Sequence, residues 1–263
     1  MRMGDGPVTV ASLTADLGEL GVPSGGTVIV HSSLSALGWV AGGAQSVVEA
    51  LIDVVGSDGT IVMPTQSGHL SDPADWSQPP VPKHWVQAVR DSLPAYDPYR
   101  TPVRGMGAIV ESFLLDRAVV RSDHPTLSFA ARGPMAESVV DGHQLADGFG
   151  ETSPLGALYE LDATVVMLGV GYSNCTSLHL AEHRASWPSK RRIPQGAPVL
   201  VDGERRWVAY EDLEPDDDDF AMLGEAFEAT DLHHEAPVGA GVGKRCGVRD
   251  VVDFAVEWME AKR

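Results

Sequence analysis

The sequence predicts an α/β fold, one elaborated domain over residues 1–263 with a mixed, largely parallel central sheet flanked by helices. Three observations predict it. The runs Thr27-Val28-Ile29-Val30-His31, Thr60-Ile61-Val62-Met63-Pro64 and Thr164-Val165-Val166-Met167-Leu168 read as continuous apolar strands of the kind buried on both faces. Segments of helical period lie between such runs. The first two runs enclose a Ser- and Gly-rich loop and a helix at about 44–55, a βαβ unit that implies a parallel pair with a right-handed crossover.

The elements follow in order. Residues 10–20 place Leu13, Leu17 and Leu20 on one helical face, with Gly21 as the stop. Gly56 to Gly59 turns the chain into the second strand. Residues 66–105 hold much of the proline and little periodicity, which points either to a functional lid or binding loop or to a flexible insertion. A helix at about 107–116 precedes strands near 119–120 and 127–131. Ser153 as N-cap and Pro154 at N1 open a helix that ends near Leu161. A helix at about 175–185 follows the third strand. Asp202-Gly203 is a hairpin signal between 192–201 and 205–212. Residues 216–229 read as an acidic helix and 251–261 as the closing one.

Apolar residues make up 43% of the 263, enough for a sizeable core. No stretch approaches the ~20 apolar residues of a membrane helix, and Met1 to Pro7 has no apolar run behind it, so a cytoplasmic location is expected. Two cysteines, Cys175 and Cys246, are too few for a disulfide framework and are expected to be reduced. The net charge of −18 argues against nucleic-acid and anionic-membrane partners and favours a cationic ligand. An acidic surface also serves solubility alone, and the oligomeric state, monomer or homodimer, stays open.

Two segments could carry chemistry. The loop after the first strand offers His31, Ser32, Ser33, Leu34, Ser35, Leu37 and Gly38, with Gly42 and Gly43 beyond. At the carboxyl end of a parallel strand such a loop can cradle a phosphate or pantetheine arm, or be an ordinary strand-to-helix turn. It is neither a Walker A loop nor G-x-G-x-x-G, which counts against nucleotide hydrolysis and dinucleotide cofactors. The second segment is Asn174-Cys175-Thr176-Ser177-Leu178-His179-Leu180-Ala181-Glu182-His183. His179, Glu182 and His183 share one helical face, as a general base needs and as a merely solvated face would also have. The same residues match H-x-x-E-H, the inverted zinc-protease pattern, but no third ligand stands out. A zinc hydrolase is therefore the remote alternative, and no metal is expected. Cys175, four residues before His179, makes an acyl-cysteine conceivable, although cysteine is most often buried. His124 before Pro125, and the acidic run Glu211, Asp212, Glu214 and Asp216 to Asp219, complete the candidates. That run is either a cation-binding wall or a solvated helix start.

These pieces, in order, resemble the aminoglycoside 3-N-acetyltransferase family, whose antibiotic N-acetyltransferase fold is unrelated to the GNAT fold. The resemblance rests on Val30-His31-Ser32-Ser33-Leu34, Gly59-Thr60-Ile61-Val62-Met63-Pro64-Thr65, Tyr96-Asp97-Pro98 and Arg121-Ser122-Asp123-His124-Pro125. It continues through Ser153-Pro154-Leu155-Gly156, Leu168-Gly169-Val170-Gly171, residues 174–182 and Trp207-Val208-Ala209-Tyr210-Glu211-Asp212. It implies acetyl-CoA as donor and the 3-amine of a 2-deoxystreptamine ring as acceptor, with acylation of another amine metabolite as the alternative. It implies His179 as general base, oriented by Asp212 or the adjacent Glu211. The loop from His31 to Gly38, with Ser122, Ser128 and Phe129, would hold coenzyme A. The acceptor would meet Asp72 or Asp97 in the long loop, and His124, Glu182 and Glu214. A non-catalytic acidic protein that binds cationic partners is the reading from outside enzymes.

Overall fold

The structure is a computed structural model that describes residues 6–263. Met1 to Asp5, and the part of the expectation about the N-terminus that falls on them, lie outside the described residues.

Helix α1 (Val10–Leu20) starts at a capping box between Thr9 and Ser12 and ends at Gly21, whose left-handed φ of 80° suits glycine. Strand β1 (Thr27–Ser32), α2 (Ala44–Val55) and β2 (Thr60–Pro64) form the expected βαβ unit, β1 and β2 being parallel. Within 66–105 lies one short helix, α3 (Val86–Ser92). Then come α4 (Ala108–Phe113), β3 (Val120–Arg121), β4 (Phe129–Arg132) and α5 (Ala136–Val140). Helix α6 (Pro154–Glu160) is capped by Ser153, whose Oγ accepts the Leu155 N–H at 3.1 Å, as its sequence predicts. Strand β5 (Thr164–Leu168) and α7 (Leu178–Arg184) follow. Strands β6 (Arg192–Val201) and β7 (Glu204–Leu213) make a separate two-stranded ribbon, turning at Asp202 and Gly203 with positive φ at both. The chain closes with α8 (Phe220–Glu228), β8 (His233–Val238), β9 (Gly241–Gly247) and α9 (Val248–Lys262).

The seven-stranded sheet has the order β3-β4-β2-β1-β5-β9-β8. Its centre, β2-β1-β5, is parallel, and antiparallel pairs extend it on both sides. Strands β1, β2, β3, β5 and β8 run one way and β4 and β9 run against them, which is the mixed sheet expected. The β8–β9 hairpin is absent from the sequence reading. Its residues, His-His-Glu-Ala-Pro-Val and Gly-Val-Gly-Lys-Arg-Cys-Gly, hold no β-branched run, and they become strands because β9 pairs with the edge of β5 and β8 with β9. The acidic run 216–219 lies before α8, not within it.

Alternation along the strands divides the core. Val28, Val30, Ile61, Met63, Val166 and Leu168 pack against α1, α2 and α4. Ile29, Val62, Val165 and Met167 pack on the other face with α5 to α9. The same alternation turns His31 toward the face that carries α7.

The 66–105 segment is tied down at both ends of its span. Arg121, largely buried in β3, donates to the carbonyls of Thr65 and Thr101, each at 2.6 Å, and to Ser67 Oγ at 2.7 Å. Tyr96 Oη donates to the Ser122 carbonyl at 2.7 Å. The segment also grips the ribbon: the Tyr96 N–H bonds the Pro198 carbonyl at 2.9 Å, and Arg205 donates to the carbonyls of Leu93 (2.8 Å) and Arg90. Arg121 and Tyr96, two of the residues on which the resemblance rests, therefore anchor the loop.

Candidate active site

Helix α7 carries the centre of the site. The His179 ring is stacked on Phe149, centroids 4.5 Å apart and planes 7° from parallel, and leans on Phe220 at 4.9 Å. Nδ1 lies 2.6 Å from Glu182 Oε2, one helical turn on. Nε2 makes no hydrogen bond among the described residues, and the side chain is 13% exposed. With Nδ1–H donating a hydrogen bond to the Glu182 carboxylate, the lone pair is left on Nε2.

Two clefts are lined by residues that touch His179: Thr176 in one, Phe149 and Glu182 in the other. One, of about 110 Å³, opens at the carboxyl ends of β1, β2 and β5 and is lined by His31, Ser32, Gln66, Met106, Asn174 and Thr176. Burial pushes the His31 imidazole down to about 4, so it is neutral, and its buried Nε2 has no partner among the described residues. The other cleft, about 140 Å³, is lined by Thr126, Phe149, Glu182, His183, Tyr210 and Asp212, among others. Thr176, in the turn before α7, lines the first cleft, and Glu182 and His183, one helical turn beyond His179, line the second, so His179 lies in the chain between the two.

The second cleft is acidic. His183 Nδ1 lies 3.2 Å from Asp147 Oδ1. Burial of Asp147 favours its neutral form, but hydrogen bonds from His183 and Thr152 outweigh that and hold the carboxyl below the usual range. Asp212 accepts the N–H groups of Gly148 (3.0 Å) and Leu213 (2.7 Å). Burial raises its carboxyl above the ordinary value, an effect that those two bonds reduce. A side chain at Gly148 would crowd Leu127, Asp212 and His124.

Several expectations need correction. Neither Asp212 nor Glu211 orients His179; Glu182 does. Alternation along β7 puts Tyr210 and Asp212 on the inner side of the ribbon and leaves Glu211 exposed, its carbonyl taking a bond from Arg192. Glu182 was expected on the acceptor's side; it lines the cleft, but its oxygens are committed to His179, Arg263 and the Asp216 N–H. Ser122, Ser128 and Phe129 are buried and inward-facing. Ser122 bonds His143 Nδ1 at 2.9 Å and Ser128 bonds the Thr65 carbonyl at 2.8 Å, so neither hydroxyl faces a ligand.

At the end of β1, His31 and Ser32 line a cleft, but in the loop that follows Leu37 is wholly in the core and Leu34 packs against it. Ser33 and Ser35 bond each other at 3.2 Å, and Gly38 turns with a φ of 87°. His124 is completely buried beside His143, ring centroids 4.7 Å apart, and so does not reach an acceptor. Asp72 is in a two-bond ion pair with Arg90, Asp97 caps the turn at Tyr99 and Arg100, and Glu214 pairs with Arg191 on the surface. None of these three lines the cleft beside His179.

Cys175 is buried and its burial pushes the thiol up to about 12, which suppresses the thiolate that an acyl-cysteine would need. In the H-x-x-E-H segment, His179 turns to Glu182 and His183 to Asp147, so the two imidazoles serve different carboxylates. The residues that sequence reasoning missed are Phe149, Phe220, Asp147 and Arg263. Gly148-Phe149-Gly150 was a local signal, two glycines around an aromatic ring; Arg263 had none.

A family model described as aminoglycoside 3-N-acetyltransferase matches residues 29–260. The chain belongs to the aminoglycoside 3-N-acetyltransferase family. Among relatives, the SPbeta prophage-derived aminoglycoside N(3')-acetyltransferase-like protein YokD of Bacillus subtilis (strain 168) is 46% identical over 254 residues, 96% of this chain and 93% of its own. Aminoglycoside N(3)-acetyltransferase VII of Streptomyces paromomycinus is 38% identical, covering 100% of this chain and 95% of its own. The crystal structure of YokD superposes with a TM-score of 0.95 at 45% identity over 98% of this chain and 95% of that one. Two further members of this acetyltransferase family have structures with ligands. AAC-IIIb with CoASH has a TM-score of 0.87 at 30% identity, over 98% of each chain. Sisomicin-bound AAC-VIa has 0.88 at 31% identity, over 98% of this chain and 100% of that one. No helix among the described residues is long and apolar enough to cross a membrane.

Proposed function

We propose that this protein moves the acetyl group of acetyl-CoA to the 3-amine of the 2-deoxystreptamine ring of an aminoglycoside, by direct transfer with His179 as general base. The observation that carries the reading is the place of His179: its Nδ1 is held by Glu182, and it lies between Thr176, which lines a cleft at the strand ends, and Glu182 and His183, which line an acidic cleft. Relatives named for this activity, one structure with CoASH and one with sisomicin support both substrates.

An aminoglycoside amine is mostly protonated at neutral pH and attacks only after losing a proton. The His179 Nε2 lone pair can take it, and Glu182 stabilises the imidazolium that results. Acetyl-CoA supplies a thioester carbonyl; the new C–N bond forms as the C–S bond breaks, and of the two protons that the ammonium loses, one passes by way of His179 to the departing thiolate and the other to solvent. His31 and Ser32, with Asn174 and Thr176, are placed to hold the pantetheine end, and the partnerless His31 Nε2 fits an amide or carbonyl group there. Asp212 and Tyr210 face the other cleft, where the cationic rings would lie.

The test is acetyl transfer to an aminoglycoside followed by thiol release, with NMR locating the new amide. His179→Ala should lower kcat by ~10²–10⁴-fold while calorimetry still detects CoA binding. Acetylation at another amine, or an active His179→Ala protein, would overturn the reading.

A further inference from the structure

Glu182 sits where water does not reach, its side chain 1% exposed. A carboxylate so placed stays ionised only when donors and charge replace the lost hydration. Oε2 serves His179, while Oε1 receives Nη1 of Arg263 at 2.7 Å and the Asp216 N–H at 3.1 Å. Arg263 is itself 7% exposed and fixed from several sides. Its Nε and Nη2 donate to the two oxygens of Asp219 at 2.8 and 2.5 Å, and Nη2 also donates to the Asp216 carbonyl at 2.7 Å. Its guanidinium lies 4.9 Å from the Trp187 ring and 6.0 Å from Phe220, the ring that leans on His179.

Resting on the general-base reading of His179, we propose that Arg263 is a positioning residue. It keeps Glu182 an anion aimed at His179 Nδ1, and so selects the tautomer whose Nε2 can accept a proton. With Arg263 gone, the buried carboxylate would gain a proton more readily. A protonated Glu182 would donate to Nδ1, the imidazole hydrogen would move to Nε2, and the base would be lost. The other charges around the pair are Asp219, bonded to Arg263, and Lys190, whose ammonium is held by the carbonyls of His183 and Ala185. Asp212, His183 and Asp147 lie toward the acidic cleft.

The experiment compares parent, Arg263→Met, Arg263→Lys and His179→Ala proteins. Removing a cation raises the proton affinity of the pair whichever partner holds the proton. The acidic limb of the kcat/KM profile of Arg263→Met should therefore move up by about 1 pH unit, with a ten- to hundredfold lower kcat, roughly, and little change in KM for acetyl-CoA. Arg263→Lys should restore the limb but only part of kcat, since an ammonium lacks the planar fork. Nitrogen NMR of His179, without substrate, should show Nδ1–H in the parent at neutral pH and loss of that tautomer in Arg263→Met.

If Arg263→Met does not fold, Arg263→Gln, which keeps N–H donors without the charge, carries the same expectation. A folded Arg263→Met with the parent's limb and tautomer, beside an inactive His179→Ala, overturns the positioning role and leaves the general base standing. An active His179→Ala overturns the reading beneath it, while the NMR comparison still decides whether Arg263 sets the tautomer.

Discussion

The rings of His179 and Phe149 lie face to face, 7° from parallel at 4.5 Å between centroids. With Glu182 fixing Nδ1, the stack removes the remaining freedom of the imidazole about its own bonds. Phe149→Leu keeps apolar volume but loses the flat support. It should lower kcat by about tenfold with small changes in stability, because misplacing a reacting group costs rate out of proportion to binding. Steady-state kinetics beside a melting curve checks this, and an unchanged kcat would show that Glu182 alone orients the ring.

Cys175 lies in the segment before α7 yet serves the core. Cys175→Ser should leave transfer within about twofold and cost stability, roughly 1–3 kcal/mol, because a hydroxyl is buried where a thiol was. Mass spectrometry after a pulse of acetyl-CoA should find no acyl adduct on the parent. An adduct at Cys175 would replace direct transfer with a covalent route.

Stability should fall below pH 6.5. Burial pushes His31 down to about 4 and His124 to about 3, the latter also repelled by His143; burial pushes His143 to about 4. Unfolded, all three would titrate near the ordinary imidazole value, so between pH 6.5 and about 4 the unfolded chain binds protons that the folded chain refuses. Their contribution is whole above pH 6.5 and shrinks as pH drops through that window, by about 1.4 kcal/mol for each ring at pH 5.5. Urea midpoints at pH 7.5 and 5.5 measure it; equal midpoints would mean that the rings open to water.

The net charge of −18 should be visible in kinetics. Raising ionic strength from about 0.02 M to about 0.3 M shortens the reach of the field, so KM for an aminoglycoside should rise several-fold while kcat changes little. A flat KM would mean that only the carboxylates of the acidic cleft itself act on the acceptor.

The sequence made the parallel centre of the sheet legible because β1, β2 and β5 are buried on both faces and must be apolar throughout. It made the face shared by His179, Glu182 and His183 legible because helical spacing alone fixes it. What spacing does not fix is the partner. Glu182 outcompetes Asp212 for His179 because it is one turn away on the same helix, whereas Asp212 is held at Gly148 and Leu213 by its position on the ribbon. Inside the fold Glu182 pairs with Arg263, 81 residues later, which no local pattern announces. Ser122 and Ser128 were implied as coenzyme A contacts by the family resemblance alone, but inside the fold they bond His143 and the Thr65 carbonyl. Strands β8 and β9 escaped notice because pairing, not propensity, makes them strands.

The grip between the 66–105 segment and the ribbon has a further consequence. Tyr96 meets Pro198, and Arg205 meets Leu93 and Arg90, so the two form one jaw above a sheet that they do not help to build. Gly68 and Ser71 of the segment and Gln195 and Tyr210 of the ribbon line the acidic cleft, while His179 is on α7. Under the proposed function, acceptor range and catalytic competence would evolve on separate parts of one chain.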